Sequence, residues 1–274
     1  MKKVILVSCI SATLLLANSA PSEELTSQIT DVKAKLEILG NELKTLESRL
    51  PKKEPTFATH TELGYIQTKG NTNTETFNLD AKAKKQWDAN SIALSLDGQY
   101  AKDKKVTTKN RYTSELNYGY DMTEKFTLGY LAGFKKDKFS GYNYQAYTGP
   151  EAKYKLLNSD IQKLSAEVAV LYAQDKIENP APIEDETEKY GSYRLKAVYE
   201  LEFIENMKFY QDASYRGSMK DSDIYFITTK TALTGKINST FSAGLSYKVD
   251  YANIAPDDKV RTDKTLTLNL IIDY

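Results

Sequence analysis

His60 is the only histidine in the chain. A neutral imidazole is the side chain best suited to take a proton near neutral pH. Glu62 lies two residues further on, on the same side of an extended segment, and a serine such as Ser91 could act as nucleophile to His60. That constellation would suit a hydrolase working on lipid or envelope material. No serine elbow pattern accompanies it, and one histidine among scattered carboxylates lacks the ligand spacing of a metal site. The reading is therefore of a non-enzyme with no catalytic residue, metal or cofactor, and the His60 hydrolase is the alternative. Cys9 is the only cysteine. It falls in a segment expected to be removed on export, so the exported chain is expected to have neither a disulfide nor a thiol nucleophile.

A second set of chemically capable residues is larger. Lys82, Lys84, Arg111, Lys153, Lys155, Arg194, Lys196, Arg216 and Lys230 share the polar phase of alternating segments with Glu62, Asp80, Glu115, Glu151, Glu167, Glu200 and Asp212. Facing a common interior, these charges could form a mutually paired network that fills it. They could also line a pore with a mild preference for anions. A small or gated pore is slightly favoured, and the basic surplus is too small to name a solute.

The elements that would position these charges are strands. In Thr265–Tyr274, Leu266, Leu268, Leu270, Ile272 and Tyr274 alternate with Thr265, Thr267, Asn269, Ile271 and Asp273, which is the period-two pattern of a strand with one apolar face. Twelve such segments follow one another from Thr56. The second carries Phe77, Leu79, Ala81 and Ala83 in phase, the fifth Leu128, Tyr130, Ala132 and Phe134, and the seventh Leu164, Ala166, Val168, Val170 and Tyr172. The weak sixth contains Pro150, tolerable only at a bulge or an unpaired position. The even-numbered connections read as tight and the odd ones after the first hairpin, such as Ala101–Thr108 and Asp175–Glu188, as longer and polar, as in a transmembrane barrel with short turns on one rim. Twenty tyrosines suit both strands and membrane-interface girdles. Mean hydropathy is −0.53. Beyond the first residues no apolar run approaches the roughly 20 residues a membrane helix needs, a test that a barrel escapes. Lys+Arg and Asp+Glu balance at 37 each, so no nucleic-acid partner is expected.

Residues 1–19 read as a secretory signal, with Lys2-Lys3 ahead of the apolar Val4–Leu16 and small residues at Ala17-Asn18-Ser19. Residues 22–50 then carry an unbroken heptad seam: Leu25, Ile29, Val32, Leu36, Leu39, Leu43, Leu46 and Leu50. Such a narrow stripe predicts a coiled-coil helix, and a single amphipathic helix packed on its own domain is the other reading. Gly40 weakens the helix by about 1 kcal/mol relative to alanine. Residues 51–55, Pro-Lys-Lys-Glu-Pro, read as a stiff linker to a barrel over 56–274.

The opening hairpin, Glu62-Leu63-Gly64-Tyr65-Ile66-Gln67-Thr68-Lys69-Gly70-Asn71-Thr72-Asn73-Thr74-Glu75-Thr76, resembles the start of a bacterial family known as salt-induced outer membrane proteins. The resemblance covers roughly Phe57 to Tyr274. It implies an outer-membrane barrel domain of unestablished molecular activity and does not extend to the heptad segment.

The chain is thus expected to be all-β, a 12-stranded antiparallel transmembrane barrel preceded by a short coiled-coil helix. It would sit in the outer membrane with the helix in the periplasm, as a structural element or a narrow, gated pore. Its expected partners are outer-membrane lipid, the barrel-assembly machinery reading Leu270, Ile272 and Tyr274, and further copies of itself through the heptad seam, a trimer being favoured over a dimer. A soluble secreted β-protein that binds an envelope partner is the remaining reading.

Overall fold

The structure is a computed structural model that describes residues 23–49, 54–69, 74–178, 184–254 and 260–274. The expected signal segment, Leu50, Pro51-Lys52-Lys53 and the expected turn at Gly70–Asn73 lie outside the described residues. The chain divides into two units, residues 1–53 and 54–274. The first holds one helix, α1 (Glu23–Arg49). Along its seam Ile29, Val32, Leu36 and Leu39 are exposed. Asp31 and Lys35 make an i,i+4 ion pair at 2.8 Å on its surface. Leu25, Leu43 and Leu46 fall within the helix.

The second unit is a closed antiparallel barrel of twelve strands: β1 (Thr56–Thr68), β2 (Thr74–Trp87), β3 (Asn90–Asp103), β4 (Val106–Asp121), β5 (Phe126–Asp137), β6 (Tyr142–Asn158), β7 (Gln162–Ile177), β8 (Glu186–Ile204), β9 (Met207–Ser218), β10 (Tyr225–Lys236), β11 (Phe241–Ala252) and β12 (Thr262–Asp273). Each strand pairs with its sequence neighbours, and β12 closes on β1. The rim holding both ends of the barrel chain is called the terminal rim below, and the opposite one the far rim.

The even-numbered connections at the terminal rim are tight, and positive φ at Asp88 (49°) and Asn206 (67°) makes two of them. The expected contrast with long connections at the far rim holds only in part. Residues 101–108, expected to be a loop, form the end of β3, the start of β4 and a turn at Lys104-Lys105 with φ of 46° and 71°. Two successive positive φ values match the right-handed twist of a hairpin, but lysine gives no glycine or asparagine signature to reveal them. Likewise β7 runs on to Ile177 and β8 starts at Glu186, so Asp175–Ile177 and Glu186–Glu188, the two ends of the expected loop, are strand. Pro150 sits where the β6–β7 register has a gap, between Thr148–Tyr172 and Glu151–Ala169, so its missing N–H breaks no ladder bond there.

Alternation sorts the side chains as in a membrane protein. Leu94, Leu116, Tyr130, Val170, Leu195, Leu245 and Leu268 are exposed on the outer wall, whereas Arg111, Glu167, Arg194, Arg216 and Lys230 are buried within it. Outward aromatics gather towards the far rim. Tyr193, Tyr215, Tyr225 and Tyr251 pack ring against ring in sequence across β8–β11, and Tyr112, Phe134 and Tyr144 stack across β4–β6. Tyr199 and Phe209 pair nearer the terminal rim. Inside, Leu131, Ala169 and Leu171 form a small apolar cluster packed against Tyr147. The Tyr147 ring lies over Gly133, its register partner on β5, where a Cβ would collide with it.

Candidate functional site: the barrel interior

A strand pleat turns every second side chain inward, and the barrel curvature brings inward charges from non-adjacent strands within bonding distance. The longest such link joins Arg111 on β4 to Asp250 on β11, five positions away around the ring. The same guanidinium reaches Asp97 on β3 at 3.3 Å, and Lys248 on β11 holds the other oxygen of Asp97 at 2.9 Å. Arg194 on β8 reaches Glu115 on β4 at 2.6 Å and Glu151 on β6 at 3.2 Å. Glu115 also accepts from the Tyr147 hydroxyl at 3.1 Å. Lys230 on β10 bonds Glu62 on β1 at 2.7 Å and Asp80 on β2 at 2.8 Å. Towards the far rim the Arg216 guanidinium lies over Phe226 (4.4 Å) and Tyr147 (5.1 Å) and donates to Tyr190 at 3.2 Å. Arg111, Arg194 and Arg216 are nearly fully buried. A desolvated charge is tolerated only when paired, so these links act as struts across the lumen.

The remaining interior candidates take quieter positions. Lys153 bonds Glu167 (2.8 Å) and Lys208 bonds Glu200 (2.6 Å), each pair between neighbouring strands. Asp212 accepts from Tyr210 at 2.8 Å, and Lys155 donates to the Glu124 carbonyl at the terminal rim at 3.1 Å. Lys84 lies at that rim beside His60, Asp273 and Tyr274. Between the struts is a central cavity of about 230 Å³. Lys82, Lys135 and Lys196 line it without an ion-pair partner among the described residues, Lys82 lying 5.3 Å over the Tyr210 ring.

Several of these contributors escaped the sequence reading. Asp97, Lys248 and Asp250 lie within recognised strands and in the polar phase, so the rule that selects Lys230 selects them too. Lys135, Asp137 and Asp175 lie beyond the expected ends of β5 and β7, where the outward positions also become polar and the contrast that marks a strand disappears.

His60 is not poised as a base for Ser91. Its Nδ1 is 2.6 Å from Asp273 Oδ1 and its Nε2 3.1 Å from Glu62 Oε1, so both nitrogens are occupied by carboxylates. In the register His60 aligns with Lys82 and then Ser95, leaving Ser91 four residues further along β3, roughly 13 Å at strand rise. Among the described residues no group of three or more side chains is placed to hold a metal ion. The closing-strand residues Leu270 and Ile272 pair with Leu63 and Thr61 across the barrel seam, and Tyr274 exchanges backbone hydrogen bonds with Thr59 at 2.6 and 3.0 Å.

No curated protein matches the chain. Among solved structures it is similar to the NanC porin (10% identity, 78% of this chain and 97% of that one, TM-score 0.43) and to the KdgM porin (11%, 80% and 98%, 0.40). It is also similar to the translocator domain of the autotransporter NalP from Neisseria meningitidis (8%, 89% and 97%, 0.39). A family model described as a protein of unknown function, DUF481, matches residues 61–274, most of the barrel, and the chain belongs to that family.

Proposed function

We propose that the chain is an outer-membrane barrel whose lumen is a narrow polar passage, closed at rest by its cross-lumen ion pairs and mildly selective for anions when open. The carrying observation is the inverted distribution of polarity. The outer wall exposes leucines, valines and tyrosines on strand after strand, while arginines and glutamates are buried inside. A wall this apolar cannot face water, yet it suits hydrocarbon, and β12 returns to β1 to close the ring. Twelve strands lie between barrels filled by side chains and open porins, so the struts and not the strand number determine the bore. Lys82, Lys135 and Lys196 give the cavity its uncompensated positive charge.

Both chain ends of the barrel lie at one rim, the periplasmic one in this reading, and α1 would there hold copies together through Ile29, Val32, Leu36 and Leu39. The experiment is a reversal-potential measurement on the full chain in planar bilayers under a KCl gradient. The wild type should favour chloride, and Lys82→Glu/Lys196→Glu should shift the reversal potential towards potassium. Conducting events with an unmoved reversal potential would remove the cavity lysines from the conducting path.

A further inference from the structure

The wall of the barrel is uneven at one place. Ladder β1–β2 runs unbroken from Thr56–Gln86 to Thr68–Thr74, and β11–β12 from Phe241–Ile272 to Tyr251–Thr262. The β1–β12 ladder that closes the barrel extends only from His60–Asp273 to Leu63–Leu270. Beyond it both strands continue, each bonded on its other side alone. Thr59 and Tyr274 exchange backbone hydrogen bonds, which fixes the phase of the seam. By alternation, the N–H groups of Tyr65, Gln67, Leu266 and Leu268 point into the seam, where no ladder partner meets them.

The two halves of the seam are built differently. The half nearest the terminal rim is clasped by the Thr59–Tyr274 bonds and by His60 on Asp273. The last tie is on the lumen side, where Asn269 Nδ2 donates to Glu62, whose other oxygen holds Lys230. Next to it is Gly64, where a Cβ would collide with Thr267 Cγ2 and lie 3.2 Å from the Leu268 carbonyl oxygen. The strands thus come together at Gly64 and are unpaired above it. Directly inside lies a pocket of about 30 Å³, room for one hydroxyl-sized group. Asn78 Oδ1 and Gln99 Oε1 belong to residues lining this pocket and are buried acceptors without a donor.

Backbone groups facing hydrocarbon without partners cost several kcal/mol each, so a membrane barrel with such a seam requires an occupant there. We propose that the far half of the β1–β12 seam is a lateral portal for a single-chain amphipath with an uncharged, hydroxylated head. The head would bond the unpaired strand edges and the Asn78 and Gln99 carbonyl oxygens, and the tail would lie along Leu63, Leu266 and Leu268 on the outer wall. Glu62 belongs both to the last seam tie and to the Lys230 strut, so opening of the seam is coupled to the lumen network.

The proposal rests on the membrane-spanning reading. Hydrogen exchange of the full chain in phosphatidylcholine nanodiscs tests it, because that lipid head carries no hydrogen-bond donor. The amides of Tyr65, Gln67, Leu266 and Leu268 should exchange at least about tenfold faster than those of Thr61, Leu63, Leu270 and Ile272. Adding monoolein should slow the first set, and Gln99→Leu should weaken that slowing. Equal exchange in the two sets, or no response to monoolein, would overturn the portal. Protection of the β6–β8 amides in the same sample reports independently whether the barrel is inserted, so failure of the membrane reading is told apart from failure of the portal.

Discussion

Replacing Arg111 by leucine removes the strut that spans the greatest distance around the ring. The guanidinium is almost wholly buried, and its partners Asp250 and Asp97 are 14% and 21% exposed at the side chain. Truncating one member of a buried ion pair leaves the other charge desolvated, at a cost of about 3–5 kcal/mol. Asp97 keeps Lys248 at 2.9 Å, so most of that cost falls on Asp250. Removing Asp250 as well, in Arg111→Leu/Asp250→Leu, eliminates the stranded charge. What is then lost is the hydrogen bond from Thr228 Oγ1 to Asp250 at 3.1 Å, about 1 kcal/mol, together with the attraction between Asp250 and the lysines Lys248 and Lys135. The double variant should therefore be more stable than Arg111→Leu by about 1 kcal/mol or more. Urea unfolding in liposomes, followed by fluorescence of Trp87, the single tryptophan, measures both. A loss below about 1 kcal/mol in the single variant, or a double variant no better than the single, would refute the view of the interior as a set of buried struts.

Other substitutions probe other parts of the account. Leu36→Asp/Leu43→Asp should dissociate oligomers in cross-linking or analytical ultracentrifugation if α1 is a coiled-coil stem, and an unchanged oligomer would remove that role. Deleting Tyr274 removes two backbone hydrogen bonds from an already short seam. It should lower the fraction of heat-modifiable, folded barrel on gels before it alters any conductance. A Cβ at Gly149 would collide with the Val170 carbonyl oxygen, so Gly149→Ala must push β6 from β7. The cost should be about 1–3 kcal/mol in the same urea assay.

The barrel was legible because membrane burial writes a strict alternation into the sequence. The starts of β1, β2, β5 and β9 at Thr56, Thr74, Phe126 and Met207 coincide with the first residues of their alternating runs. Above the apolar belt the wall becomes polar on both faces, as at Gln174 and Lys176 of β7, and nothing in the pattern marks where a strand ends. Asp175, buried and bonded to Tyr190 and Gln145, was therefore read as loop. That Arg111 is inward could be read from its phase. That it meets Asp250 could not, because cross-lumen partners depend on register and shear summed over several ladders. The short β1–β12 ladder was equally hidden, since both strands alternate along their whole lengths and only their pairing stops at Leu63–Leu270.

The most direct test of a lumen closed by ion pairs is single-channel recording of the wild type beside Arg111→Ser/Arg194→Ser in planar bilayers. The wild type should show only brief, small openings, and removing the two struts should produce larger steps of longer duration. A wild type that conducts steadily, with steps unchanged in the double variant, would contradict the account.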